Sequence, residues 1–159
     1  MTIYRLSSKV HAAEPYSGEG GRFSAGRWNR LGTLMAYASE SRPMAFLEVL
    51  TRIKANDLQD INRLYVMCPA EIPNHLLPPM VPLNKLPRDW RAFPASDSTR
   101  EFGEQWIVAR SSLVLTVPSA LMPSESNYLI NPLHPDFARL KVLRSEPLSL
   151  ESRLLKLKS

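Results

Sequence analysis

Polar and apolar residues alternate over Thr2–Leu6, the period of a half-buried strand. A polar, glycine-bearing stretch over 7–22 predicts a loop. Phe23–Asn29 predicts an extended segment in which Gly26 marks a close backbone approach. Asn29-Arg30-Leu31-Gly32 reads as a turn, and Leu34–Ala38 as a short buried strand. Ser39 or Ser41 caps a following helix that tolerates Pro43 in its first turn. Phe46, Leu47, Leu50 and Ile53 recur there at helical spacing and are expected to face the core. Arg63–Ala70 is rich in strand formers and is closed by the prolines at 69 and 73, after which 73–95 reads as irregular. Ser98-Thr99-Arg100-Glu101 has the form of a capping box. It predicts a helix running to about Arg110, with Phe102, Trp106 and Ala109 on one face. Leu113–Val117 and Asn127–Ile130 read as strands separated by a loop, and Asn131-Pro132 stops the second. Pro135 and Asp136 begin a helical turn, and Lys141–Leu150 holds one or two edge strands. Strands outnumber helices and do not alternate regularly with them, which predicts an α+β fold and not a doubly wound sheet. The chain has no internal repeat and no low-complexity tract.

At 159 residues, 44% of them hydrophobic and 22% charged, the chain can bury the core of one domain. No apolar run approaches the roughly 20 residues of a membrane span. The first residues lack a basic-then-apolar leader. Cys68 is the sole cysteine, so an internal disulfide and a thiolate zinc cluster are both excluded. His11, His75 and His134 have no metal-ligand spacing, and His134 between two prolines is expected to be structural. These features predict a cytoplasmic protein without a metal. The net charge of +5 admits a nucleic-acid surface, an anionic substrate or an acidic protein partner. The basic residues are scattered. The densest group is Arg139, Lys141, Arg144, Arg153, Lys156 and Lys158, which has no interleaved aromatics to stack bases.

The richest chemistry lies in Gly20-Gly21-Arg22-Phe23-Ser24-Ala25-Gly26-Arg27-Trp28-Asn29. Glycine lets backbone approach a ligand closely, arginine offers a fork of donors for phosphates, and the indole offers a flat face. Tyr37 and Glu48 follow. The combination predicts a nucleotide or dinucleotide pocket with a carboxylate downstream as the reactive group. There is no Walker loop, no dinucleotide fingerprint of the Rossmann type and no nucleophile elbow.

Gly26-Arg27-Trp28-Asn29, Tyr37, Phe46-Leu47-Glu48-Val49, Val117-Pro118-Ser119-Ala120 and Asn127-Tyr128-Leu129-Ile130-Asn131-Pro132-Leu133-His134-Pro135 form an ordered set. That set resembles the RES-domain toxins over nearly the whole chain, so 1–159 is expected to be a single RES domain. The resemblance implies an ADP-ribosyltransferase-like fold: a mixed, split β core with short flanking helices. It implies NAD as substrate and no resident cofactor. The nicotinamide–ribose bond would be cut by hydrolysis or phosphorolysis, or ADP-ribose passed to a protein. It further implies an Xre-type helix-turn-helix antitoxin as partner, with DNA met only through that antitoxin.

Carried over by motif position, Glu48 would stabilise the developing sugar cation, Arg27 would hold the pyrophosphate or a ribose edge, Tyr37 would stack on the nicotinamide, and Ser119 would hydrogen-bond its amide or ribose. Arg22, Trp28 and Asn127 are further candidates for the pocket lining, and Arg5 projects from the first strand as another. Ala25 stands where family members carry the first glycine of Gly-Gly-Arg-Trp-Asn, and a second Gly-Gly-Arg lies at 20–22, so Arg22 and Arg27 both remain candidates for the phosphates. Because the leaving group is already a pyridinium cation, the chemistry needs a carboxylate near the ribose and no strong general acid. Simpler roles stand beside these. Glu48 precedes Arg52 by four residues, the favourable order for a helical ion pair. Tyr37 between two alanines suits a core, Trp28 suits packing, and Ser119 after Pro118 suits a turn. A non-enzymatic nucleic-acid-binding module is the alternative of a different class.

Overall fold

In a computed structural model, which describes residues 1–155, Thr2–Ser8 forms strand β1 and buries Ile3 and Leu6. Strand β2 (Ala36–Ser39) is followed by helix α1 (Arg42–Leu50). The two short helices α2 (Ala55–Gln59) and α3 (Ile61–Leu64) come next and bury Leu58 and Ile61. Strand β3 (Tyr65–Glu71) leads through irregular chain to helix α4 (Asp97–Ala109). Strands β4 (Val114–Pro118) and β5 (Ser126–Ile130) form a hairpin-like pair. A 3₁₀ turn (Pro135–Arg139), the short edge strands β6 (Lys141–Val142) and β7 (Glu146–Pro147), and helix α5 (Ser152–Leu155) complete the described chain.

The strands make one antiparallel sheet of order β4-β5-β2-β1-β3-β6, with β7 also on β3. The expected α+β class with a split β core is what forms. The split is visible in the register. β1 pairs with β3 along its full length, Thr2↔Glu71 to Ser8↔Tyr65, and β2 pairs with β5 from Ala36↔Ile130 to Ser39↔Asn127. β1 and β2 meet only at Tyr4↔Ser39. Across that gap the Arg5 guanidinium donates to the Tyr37 carbonyl at 2.8 Å, a side chain standing in for a ladder hydrogen bond.

Alternation along the strands sorts the core. Ile3, Ala36, Val114 and Ile130 pack together on one face. Leu129 and Val117 pack on the other against Trp106 and Ile107 of α4. Leu6 and Met67 meet Ala45, Leu58 and Ile61 beneath α1–α3.

Several local expectations shift. Residues 19–22 form a 3₁₀ turn and 23–35 is irregular, so no extended segment runs from Phe23 to Asn29; Phe23 points outward at 81% exposure. β3 continues through Pro69 to Glu71. The Pro69 carbonyl faces the outer edge, accepting from Leu143 N at 2.9 Å, so its missing N–H falls in the gap between β7 and β6, where no ladder bond is lost. The cap of α4 is Ser96, whose hydroxyl accepts from Thr99 N, and Ser98 lies in the first turn. The buried face of α4 is Thr99, Gly103, Trp106 and Ile107, while Ala109 is exposed. Gly103 belongs there because a Cβ would strike the Trp28 carbonyl. In α1 the fully buried residues are Met44 and Ala45, with Phe46 and Leu50 half-buried against the same cluster.

Three basic residues of the tail are paired with carboxylates. Arg139 pairs with Asp136 (3.4 Å), Lys141 with Glu71 (3.5 Å) and Arg153 with Glu151 (2.9 Å); Lys156 and Lys158 lie outside the described residues. His134 Nδ1 accepts from Asp136 N at 3.1 Å and caps the 3₁₀ turn. Among the described residues no helix is long and apolar enough to cross a membrane, and no cluster of three metal-ligating side chains occurs.

Candidate active site

Glu48 is fixed from two sides. Ser41 Oγ accepts from Met44 N and starts α1, which carries Glu48 toward the ends of β4 and β5. There Ser119 Oγ donates to Glu48 Oε1 at 2.8 Å and Asn127 Nδ2 donates to the same oxygen at 2.5 Å. The Ser119 hydroxyl accepts from Leu121 N (3.1 Å) and Met122 N (3.2 Å), so its lone pairs are used and its proton is committed to Glu48. Asn127 Oδ1 accepts from Ser39 Oγ at 2.8 Å, which fixes the amide with its NH₂ toward the carboxylate. Glu48 Oε2 carries no hydrogen bond among the described residues, and Glu48 lines a cavity. No ion pair joins Glu48 to Arg52 among the described residues. α1 ends at Leu50, and Arg52 instead places its guanidinium 5.8 Å from the Tyr37 ring centroid.

Tyr37 stands opposite. Its hydroxyl donates to Asn29 Oδ1 (2.6 Å) and accepts from Trp28 N (3.1 Å). Burial pushes its pKa up to about 12 against the hydrogen bond from Trp28 and the fields of Arg52, Arg5 and Arg27. Asn29, 1% exposed, is the hub of the loop: Oδ1 also accepts from Gly26 N (3.0 Å), and Nδ2 donates to the Arg30 carbonyl (2.9 Å). Gly26 has to be glycine here, since a Cβ would lie 2.5 Å from the Tyr37 hydroxyl. Glu104 of α4 ties down the far end by accepting from Arg30 N at 3.0 Å and from the Thr33 hydroxyl.

A cavity of about 170 Å³ opens between these groups, and Tyr37, Glu48 and Asn127 line it together with Arg5, Ser39 and Arg52. The other anticipated residues lie outside its lining. Ser119, 0% exposed, reaches it only through Glu48. Arg27 stands behind the loop, where NH1 donates to the carbonyls of Trp90 and Ala92, both at 2.8 Å. Burial lowers the Arg27 pKa and the nearby Glu48 carboxylate acts against that, so the two groups are within electrostatic reach. Trp28 is core, stacked on Trp90 with ring centroids 6.5 Å apart and tilted to Phe102. Arg22 is at the surface, paired with Glu19 at 2.8 Å. The sequence includes Asn29 in the glycine-bearing stretch but not its role as the hub of the loop, and it offers Arg52 only as an ion-pair partner for Glu48, not as part of the cavity wall.

A RES-domain family model matches residues 2–151. The chain belongs to the RES-domain toxin family. Full-length relatives agree. A protein of Sphingobium sp. (strain YBL2) described as a Prs ADP-ribosylating toxin is 32% identical, covering 98% of this chain and 97% of its own. A Toxin Res of Pseudomonas putida is 36% identical over 97% of this chain and 99% of its own. The fold of this RES protein is similar to that in a crystal structure of the M. tuberculosis MbcT–MbcA toxin–antitoxin complex, with TM-score 0.74 and 17% identity over 98% of this chain and 86% of the other.

Proposed function

We propose that this RES protein breaks the nicotinamide–ribose bond of NAD. The observation that carries the reading is the Glu48 carboxylate, held through Oε1 by two neutral donors on a residue that lines a cavity. As the bond breaks, its electron pair leaves with nicotinamide, which departs neutral, and positive charge builds on the ribose. A fixed carboxylate on that ribose stabilises this charge without reorganising. Ser119 and Asn127 are neutral, so they orient the carboxylate without cancelling its charge. Tyr37, protonated at neutral pH, offers its ring edge and face to the pyridinium. Water or phosphate then attacks the anomeric carbon and loses a proton to solvent, giving ADP-ribose or its 1″-phosphate.

Transfer of the ADP-ribose to a protein side chain is the second reading, favoured by the 32% identical relative described as ADP-ribosylating. It shares the bond-breaking step. An antitoxin of the Xre helix-turn-helix type is the proposed partner, supported by the toxin–antitoxin complex of similar fold.

The test is to incubate purified protein with NAD, with and without phosphate and with and without cell lysate, and to identify products by mass spectrometry. Nicotinamide release is expected, and Glu48→Gln is expected to slow it by about a hundredfold or more while its circular dichroism is unchanged. A folded Glu48→Gln protein that releases nicotinamide at the normal rate overturns the reading.

A further inference from the structure

A second cavity of about 670 Å³ abuts the first. Arg5, Leu6, Gly20, Ser24, Val49 and Arg52 line both, so the two spaces share one wall. Glu48, Tyr37 and Asn127 belong only to the smaller space, and Glu14, Ser17 and Tyr65 only to the larger. Two guanidinium groups therefore stand at the junction. Arg5 has spent NH1 on the Tyr37 carbonyl, and its Nε is buried without a hydrogen-bond partner among the described residues. Arg52 is exposed, and among the described residues no carboxylate pairs with it; its guanidinium is held only over the Tyr37 ring. Such a cation at the waist of two joined cavities suits an anion lying between two larger groups. A dinucleotide has that shape: two nucleosides bridged by two phosphates. One carboxylate orders the two halves: Glu14 lines the larger space, where it disfavours phosphate and would accept from a ribose hydroxyl, while Glu19 beside it is paired with Arg22.

We propose that Arg52 grips the pyrophosphate at the junction of the two cavities and that the larger cavity receives the adenosine half. The inference rests on the dinucleotide reading of the Glu48 site and adds the binding register. It moves the phosphate contact away from Arg22, which is paired with Glu19 at the surface, and from Arg27, whose NH1 is committed to backbone carbonyls.

The test uses binding alone, with ADP and adenosine as probes, measured by calorimetry on the full chain. The wild-type protein is expected to bind ADP at least tenfold more tightly than adenosine. In Arg52→Ala that ratio is expected to fall below about threefold, and Arg52→Lys is expected to restore part of it; both changes are at an exposed position and leave the core untouched. Ala13→Trp, at an exposed position of the larger cavity's wall, is expected to weaken both probes at least tenfold while the thermal midpoint stays constant. An unchanged ADP-to-adenosine ratio in Arg52→Ala removes Arg52 from the phosphates, and a wild-type protein that does not prefer ADP does the same. Unchanged adenosine binding in Ala13→Trp removes adenosine from the larger cavity. Because no bond is broken in these measurements, a protein that binds ADP as expected but releases no nicotinamide sinks the proposed reaction and leaves this inference standing.

Discussion

Asn127 Nδ2 lies 2.5 Å from Glu48 Oε1, joining the edge of β5 to α1 across 79 residues of chain. Its own carbonyl is occupied by Ser39, so the amide cannot turn away. Asn127→Asp keeps the shape and replaces the donor by a carboxylate facing a carboxylate. Like charges at that range push one pKa up. The expected outcome is nicotinamide release reduced by about a hundredfold at pH 7 and partly regained as pH falls, because one proton shared by the two carboxyls relieves the repulsion and supplies a donor to Glu48 again; a pH–rate profile that matches wild type would remove Asn127 from the Glu48 site.

Ser119 offers a test of positioning against stability. Its hydroxyl serves Glu48 and two backbone N–H groups while being 0% exposed. Ser119→Ala leaves those N–H groups without their acceptor, which costs about 1–3 kcal/mol. Urea denaturation is expected to show that loss, and kcat is expected to fall more than KM rises, because Ser119 touches the carboxylate and does not line the cavity.

Gly26→Ala is a steric test. The added methyl group would sit 2.5 Å from the Tyr37 hydroxyl, and Tyr37 is itself held by Asn29 and Trp28. Overpacking of this kind costs about 1–3 kcal/mol. The thermal midpoint is expected to drop. Combined with Tyr37→Phe, the loss is expected to be smaller than the sum of the two single losses, since the phenol oxygen no longer clashes although the Asn29 amide oxygen still does; additive losses would contradict the contact with the phenol.

Tyr37 also gives a pH signature. The folded phenol ionises at about 12 and the unfolded one near 10. The folded state thus holds its proton more tightly. The stability this contributes is complete below pH 10 and is lost as pH rises from about 10 to 12. Tyr37→Phe is expected to flatten the decline of unfolding free energy in that window relative to wild type; equal slopes would mean that the phenol is not buried as described. Tyr16, whose pKa burial also raises, contributes to both curves and cancels in the comparison.

Much of this architecture could be read along the chain, and the misses share a cause. Strands β1, β4 and β5 and the capped helix α1 follow from alternation, Pro43 and Ser41, all local signals. Glu48, Tyr37 and Asn127 came from motif positions and meet at one cavity. What local pattern could not supply was contact between distant segments. Pro69 reads along the chain as the close of a strand, and only the edge strands pairing on either side of it let β3 run on. Arg52 looked like the partner of Glu48 because helical spacing extends past Leu50 on paper; the helix ends first, and the guanidinium turns to Tyr37. Nothing in the neighbourhood of Arg27 announces the Trp90 and Ala92 carbonyls, more than 60 residues away, that accept from its guanidinium.

The meeting of β1 and β2 at a single residue pair has a mechanical side. Elsewhere the sheet is stitched rung by rung; at this seam it hangs on one rung and one arginine rivet. A molecule lodged beside the seam bears on both panels, so its arrival braces the whole sheet as well as filling a hole. Occupancy should then register far off, as slower amide exchange in β3 and β4 alike.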